Sequence, residues 1–99
     1  MKINFPKIET ALYLISTPIG TISDITFRAV NVLQNVNILL AEDTRVLRKL
    51  MNLLDIDLEG RSIHSYNDNS GDTVRSNYIH ELDRNKSIAL CCDAGTPLI

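Results

Sequence analysis

Short apolar runs alternate with amphipathic stretches along the chain. Leu12-Tyr13-Leu14-Ile15-Ser16 is the first run, and Thr17-Pro18-Ile19-Gly20 ends it, which reads as a buried strand entering a turn. From Ile25 to Val36 the apolar residues recur as Ile25, Ala29, Val32, Leu33 and Val36, a helical stripe that Ser23 or Asp24 can cap. Ile38-Leu39-Leu40-Ala41 is a second buried strand. It runs into Glu42-Asp43-Thr44 and a second helix whose apolar side carries Val46, Leu47, Leu50, Met51 and Leu54.

Gly60 permits a turn before a weaker third strand, Ser62-Ile63-His64-Ser65-Tyr66, and the polar stretch Asn67 to Gly71 reads as a loop. Val74, Tyr78 and Leu82, spaced by four, make a third helix. Ser87-Ile88-Ala89-Leu90-Cys91-Cys92 is a fourth strand, ending in Asp93-Ala94-Gly95-Thr96-Pro97. Strands that are continuously apolar and alternate with helices predict an α/β fold, a mostly parallel sheet with helices on both faces and right-handed crossovers. Residues 1–11 read as an N-terminal extension and 12–99 as one α/β domain. The stop at Leu98-Ile99, just past a strand-to-loop turn and with no helix to complete the unit, leads us to expect a truncated domain.

Composition narrows the field. With 99 residues there is room for one small domain, and 44% apolar with 22% charged residues is ordinary for a soluble globular protein. A net charge of −2 argues against nonspecific coating of nucleic acid but leaves room for a local basic patch. Cys91 and Cys92 are adjacent, so on a strand they point to opposite faces. They form neither a disulfide framework nor a metal-ligand spacing, which predicts a cytoplasmic protein without a metal. The first nine residues carry charges and Pro6 rather than an apolar run, and no stretch is long enough to span a bilayer.

Ligands of open parallel sheets bind beyond the carboxyl ends of the strands, and three loops there have unusual composition: 17–20, 41–45 and 93–97. In the last, Gly95 allows close backbone approach, Pro97 stiffens the turn, and Asp93 and Thr96 offer polar groups. That suits a nucleoside or amino-acid moiety, and equally a plain strand-to-helix turn with a Thr cap. The first loop lacks a Gly-x-Gly-x-x-Gly pattern, there is no Walker lysine, and a structural turn accounts for it. Glu42 or Asp43 can act as a general base or hold a substrate hydroxyl; as alternatives, Asp43 is the helix N-cap and Glu42 a favourable charge at the helix dipole. Arg45, Arg48 and Lys49 share a helix face, which can grip RNA phosphates or simply be solvated. His64 and His80 have no paired ligand spacing.

Taken together, residues 12–20, Asp24-Ile25-Thr26, Ala41-Glu42-Asp43-Thr44-Arg45 with Arg48-Lys49-Leu50, and Asp93-Ala94-Gly95-Thr96-Pro97-Leu98-Ile99 closely resemble the ribosomal-RNA branch of the tetrapyrrole methylase superfamily. The four motifs keep their order and spacing from about residue 12 to residue 99. The resemblance implies S-adenosylmethionine as methyl donor and a cytidine ribose 2′-hydroxyl in the decoding region of small-subunit rRNA as acceptor. It also implies two α/β domains with the cofactor between them, the small-subunit rRNA or 30S subunit as partner, and a homodimer at full length.

By residue-wise carry-over, Pro18, Asp93, Ala94, Gly95 and Thr96 fall at the cofactor, Glu42 and Asp43 are the candidate catalytic acids, and Arg45, Arg48 and Lys49 the candidate substrate contacts. The sequence departs from the family at Thr21 (usually Asn), Val46 (often His), Asn67-Asp68-Asn69 (usually a His- and Glu-containing stretch) and Cys92 (usually Ser). A relative acting on a small tetrapyrrole precursor and a noncatalytic fragment are the alternatives. A receiver-like signalling domain fits poorly, since the first strand ends in Thr-Pro-Ile-Gly rather than in acidic residues.

Overall fold

The structure is a computed structural model that describes residues 8–17, 25–67 and 70–93, with the backbone alone for Thr17 and Asp93. The described elements alternate as β1 (Leu12–Thr17), α1 (Phe27–Asn35), β2 (Ile38–Ala41), α2 (Thr44–Leu53), β3 (Ile63–Ser65), α3 (Gly71–Asp83) and β4 (Ile88–Asp93). The four strands form one parallel sheet in the order β1-β4-β2-β3. The α/β class and parallel sheet expected from the apolar runs are thus present.

The two central strands explain why their sequences are apolar without alternation. Leu39, Leu40 and Ala41 of β2 and Ile88, Ala89, Cys91 and Cys92 of β4 are all buried, because both faces of a central parallel strand are covered. Ile15, Leu39, Ala41, Ala89 and Cys91 share one face and pack with Val32, Leu33 and Val36 of α1 and Leu47, Leu50 and Met51 of α2. Leu40, Ile88 and Cys92 are buried on the other face. The chain steps in one direction across the sheet from β1 to β2 to β3 and then back to β4, so a right-handed last crossover puts α3 on that second face. Tyr66, two residues beyond His64 and on the same face as it, meets Tyr78 of α3 edge to face with ring centroids 5.8 Å apart. The two cysteines indeed point to opposite faces.

Helix ends are set by local chemistry. The α1 cap is Thr26 rather than Ser23 or Asp24, which lie outside the described residues; its hydroxyl accepts the Ala29 N–H at 3.1 Å, so the helix begins at Phe27. Asp43 caps α2, accepting the Arg45 N–H at 3.0 Å. At the other end Asp55 takes a left-handed conformation (φ 59°), and the Ile56 N–H reaches back to the Met51 carbonyl at 2.9 Å. This is a Schellman closure that seats buried Ile56 against the core. Val46, expected on the apolar side of α2, is 38% exposed, because it sits at the edge of a stripe centred on Leu47, Leu50 and Met51. The turn at Gly60 has φ 83°, the left-handed region that glycine enters without strain.

Arg61 ties the layers together. Its guanidinium donates to the carbonyls of Leu33 (2.8 Å) and Val36 (3.0 Å) at the end of α1, and to those of Leu58 (2.8 Å) and Asp57 (3.0 Å) in the loop before β3. The first two belong to the end of α1, where the last carbonyls have no intrahelical partner. Burial lowers the Arg61 pKa, with Glu59 opposing, but a guanidinium stays charged at any physiological pH. Arg61→Met keeps the aliphatic stem and removes all four bonds. We expect a loss of about 2–3 kcal/mol, the range for hydrogen bonds to a charged group whose partners stay partly buried. Urea unfolding at the wild-type midpoint would refute this.

Candidate functional site at the carboxyl edge of the sheet

Because all four strands are parallel, their carboxyl ends lie along one edge. The register pairs Thr17 with Asp93, Ala41 with Cys91 and Ser65 with Ala41. Strands β1 and β4 therefore end side by side, and the β2–α2 junction leaves next to β4. Pro18, Ala94, Gly95 and Thr96, together with the Asp93 side chain, lie outside the described residues, so the cofactor role drawn for them rests on their sequence.

The ladder continues one residue past β2 and β3. Glu42 donates its backbone N–H to the Cys91 carbonyl at 3.1 Å, and Tyr66 donates its own to the Ala41 carbonyl at 2.9 Å. Side chains alternate along strands, so Ser16, Cys92, Glu42 and Tyr66 fall in one transverse row, on the face away from α1 and α2. Glu42 is half-buried in that row, between buried Cys92 and half-buried Tyr66. Among the residues named from sequence, Glu42 is thus brought beside the exit of β4.

Asp43 is differently engaged. Besides capping α2 it accepts from Arg45 twice, Nε at 3.1 Å and Nη2 at 3.1 Å, a bidentate ion pair. The Arg45 side-chain hydrogen bonds hold the Asp43 carboxyl below its ordinary value, and the same bonds raise the Arg45 guanidinium. A carboxylate stabilised in this way is a weaker proton acceptor. Arg45 is 89% exposed in its side chain, with its charge partly compensated. Arg48 and Lys49 are exposed one turn further along α2. Arg48 also borders a concavity of about 220 Å³ with Met51, Asn52, Ile56 and Ile63, toward the other end of the helix.

A second concavity, about 260 Å³, lies between β1 and the start of α1, lined by Tyr13 to Ser16 and by Ile25, Thr26, Arg28, Ala29 and Val32. Its Thr26 and Ser16 end adjoins the carboxyl edge. Arg28 stands over the Tyr13 ring at 5.7 Å, a cation–π contact on its wall.

Burial and neighbouring Cys92 push the Cys91 thiol up to about 12, so it stays protonated and is no nucleophile near neutrality. Among the described residues, no group of three or more His, Cys, Asp or Glu is placed to hold a metal ion, and no helix is long and apolar enough to cross a membrane.

Sequence reasoning missed the cluster on the far side of Glu42. Arg75 of α3 donates from Nε to the Tyr66 phenol oxygen at 3.3 Å and pairs with Asp72 at 2.9 Å. Burial, then the nearby Tyr66, raises the Tyr78 pKa. Tyr66 reads from sequence as a strand end and Tyr78 as one position of a helical stripe. The register brings Tyr66 beside Glu42, and the packing of α3 brings Tyr78 against Tyr66.

The chain is 43% identical over 89 residues to the ribosomal RNA small subunit methyltransferase I of Bacillus subtilis (strain 168). It is 41% identical over 88 residues to that of Halalkalibacterium halodurans, and 42% identical over 86 residues to that of Borrelia garinii subsp. bavariensis. These alignments cover 87–89% of this chain but 29–37% of the relatives, so the chain spans about a third of the length of the curated relatives it matches. The family model for tetrapyrrole (corrin/porphyrin) methylases matches residues 11–99, every described strand and helix included. On that match, and on the parallel sheet whose strand exits meet at one edge, the chain belongs to the tetrapyrrole (corrin/porphyrin) methylase family.

Proposed function

We propose that this protein takes part in S-adenosylmethionine-dependent methylation of small-subunit ribosomal RNA in the cytoplasm. The acceptor is a cytidine ribose 2′-hydroxyl in the decoding region, and this chain supplies the amino-terminal α/β half of the cofactor cleft. The observation that carries the reading is the meeting of the β1, β2 and β4 exits on one edge, with Glu42 beside the exit of β4. The names of its relatives add the rRNA substrate. Adjacent exits of β1 and β4 fit a donor held by both of their loops, Pro18 on one side and Asp93 to Thr96 on the other.

Bound S-adenosylmethionine would supply an electrophilic methyl group. The task left to this chain is to align a ribose hydroxyl with it and to exclude water. A ribose hydroxyl is a weak nucleophile, so an acceptor that draws off its proton raises the rate. Glu42 fills that role, because it lies in the row between Cys92 and Tyr66 at the exit of β4 and because the Asp43 carboxylate is made less basic by Arg45. Arg45, Arg48 and Lys49, on one face of α2, contact phosphates of the RNA around the target. A homodimer at full length is part of the same proposal.

Mass spectrometry of small-subunit rRNA from cells with and without the gene tests this. We expect one ribose-methylated cytidine in the decoding region to be lost with the gene. An unchanged rRNA methylation pattern, with altered tetrapyrrole intermediates instead, would transfer the protein to the small-molecule branch of its family.

A further inference from the structure

We propose that Tyr66 is the platform on which the base of the target nucleotide stacks while its ribose hydroxyl faces Glu42. The inference rests on the reading of the protein as an RNA ribose methylase and goes further, because it assigns recognition of the base to the far side of the catalytic acid.

Three observations carry it. Tyr66 and Glu42 are lateral neighbours on the same face, since the Tyr66 N–H bonds to the Ala41 carbonyl one residue before Glu42. Neighbouring strands are about 4.8 Å apart, commensurate with the separation of a ribose 2′-hydroxyl from the base of the same nucleotide. One nucleotide can therefore reach both residues.

The Tyr66 ring is also fixed before any ligand arrives. Tyr78 meets it at an interplanar angle of 73°, and Arg75 holds its phenol oxygen at 3.3 Å while being anchored in turn to Asp72. An aromatic ring held in this way loses little freedom on stacking.

An edge-to-face contact with Tyr78 takes at most one face of the Tyr66 ring. Tyr66 is half-buried, and the Arg75 guanidinium stands next to its phenol oxygen. Unstacked RNA bases are bound on aromatic faces and on Arg planes of this kind. Packing of α3 against the sheet is the competing role for Tyr66, and it predicts a loss of stability with no change in RNA binding by the folded protein.

The test measures RNA affinity, with a small-subunit rRNA fragment carrying 2-aminopurine at the target position, alongside thermal unfolding and cofactor affinity. Tyr66→Leu is expected to weaken RNA binding roughly tenfold to a hundredfold, in line with the loss of one base–aromatic stack. It should also abolish quenching of the 2-aminopurine and leave cofactor affinity within about twofold, while Tyr66→Phe, which keeps the ring and loses only the Arg75 bond, should retain quenching and lose no more than about threefold in RNA affinity. Tyr66→Trp covers the case in which the leucine variant does not fold. The chain contains no other tryptophan, so indole quenching on RNA addition reports stacking directly.

A folded Tyr66→Leu protein with wild-type RNA affinity, or an indole whose emission ignores RNA, overturns the assignment. If the wild-type protein methylates rRNA and these variants behave alike, the platform alone is wrong. If the wild-type protein neither binds nor methylates rRNA, the underlying reading falls and the platform with it.

Discussion

Glu42→Gln is expected to slow methyl transfer about a hundredfold to ten-thousandfold, the range for a lost general base, while RNA and cofactor affinities change little. The substitution keeps the shape of the side chain and its place in the row with Cys92 and Tyr66, and removes its negative charge and with it the ability to take a proton. Such a loss appears in kcat and in kcat/KM alike, because the interaction is made in the transition state and not in the ground state.

Asp43→Asn is the paired control. Asparagine caps a helix about as well as aspartate, so α2 should keep its start, and the variant loses only the ion pair to Arg45. Its single-turnover rate should stay within several-fold of wild type. A full rate for Glu42→Gln together with a collapse for Asp43→Asn would move the proton-accepting role to Asp43, against the weaker basicity that its bonds to Arg45 give it.

The largest stability effect is expected at the middle of the sheet. Leu39 is 0% exposed in central strand β2 and belongs to the cluster that joins both strand β4 and helices α1 and α2. Leu39→Ala removes buried methyl groups and leaves a cavity that a parallel sheet clamped on both sides closes poorly. The loss should be about 3–5 kcal/mol, and the melting temperature of a domain this size should fall by at least about 12 °C. Native domains have only about 5–15 kcal/mol to lose, so part of the population should be unfolded at physiological temperature. Leu53 makes the contrast: it lies on α2 but is 62% exposed, and Leu53→Ala should change stability by no more than about 0.5 kcal/mol. Equal melting shifts for the two variants would contradict the core drawn here.

Between them the two experiments separate the site from the scaffold. The row residue should affect rate without stability, and the core residue stability first. Arg61→Met should behave as the core residue does, since its four carbonyl partners belong to the connections at the ends of α1 and before β3.

Much of this arrangement was legible along the chain. The continuous apolar run Ile38-Leu39-Leu40-Ala41 marked β2 to the residue, because a strand buried on both faces has nowhere to place a polar side chain. Asp43 before an apolar stripe marked the start of α2, since its carboxylate accepts an N–H that the helix cannot satisfy itself. The motifs at residues 12–20, 41–45 and 93–99 pointed to the family, and in a parallel sheet the strands β1, β2 and β4 within or before them end along one edge.

The tertiary structure alone decided the rest. Strand order β1-β4-β2-β3 inserts the last strand between the first two, which no local period encodes. Arg61 reaches carbonyls 28 and 25 residues earlier, and Tyr66 arrives next to Glu42 only through ladder bonds. Hydrophobic periodicity reports how each segment is buried, and caps report where it begins. Which segments become neighbours is set by packing and hydrogen bonds between distant residues, and those leave their record in the register of the sheet.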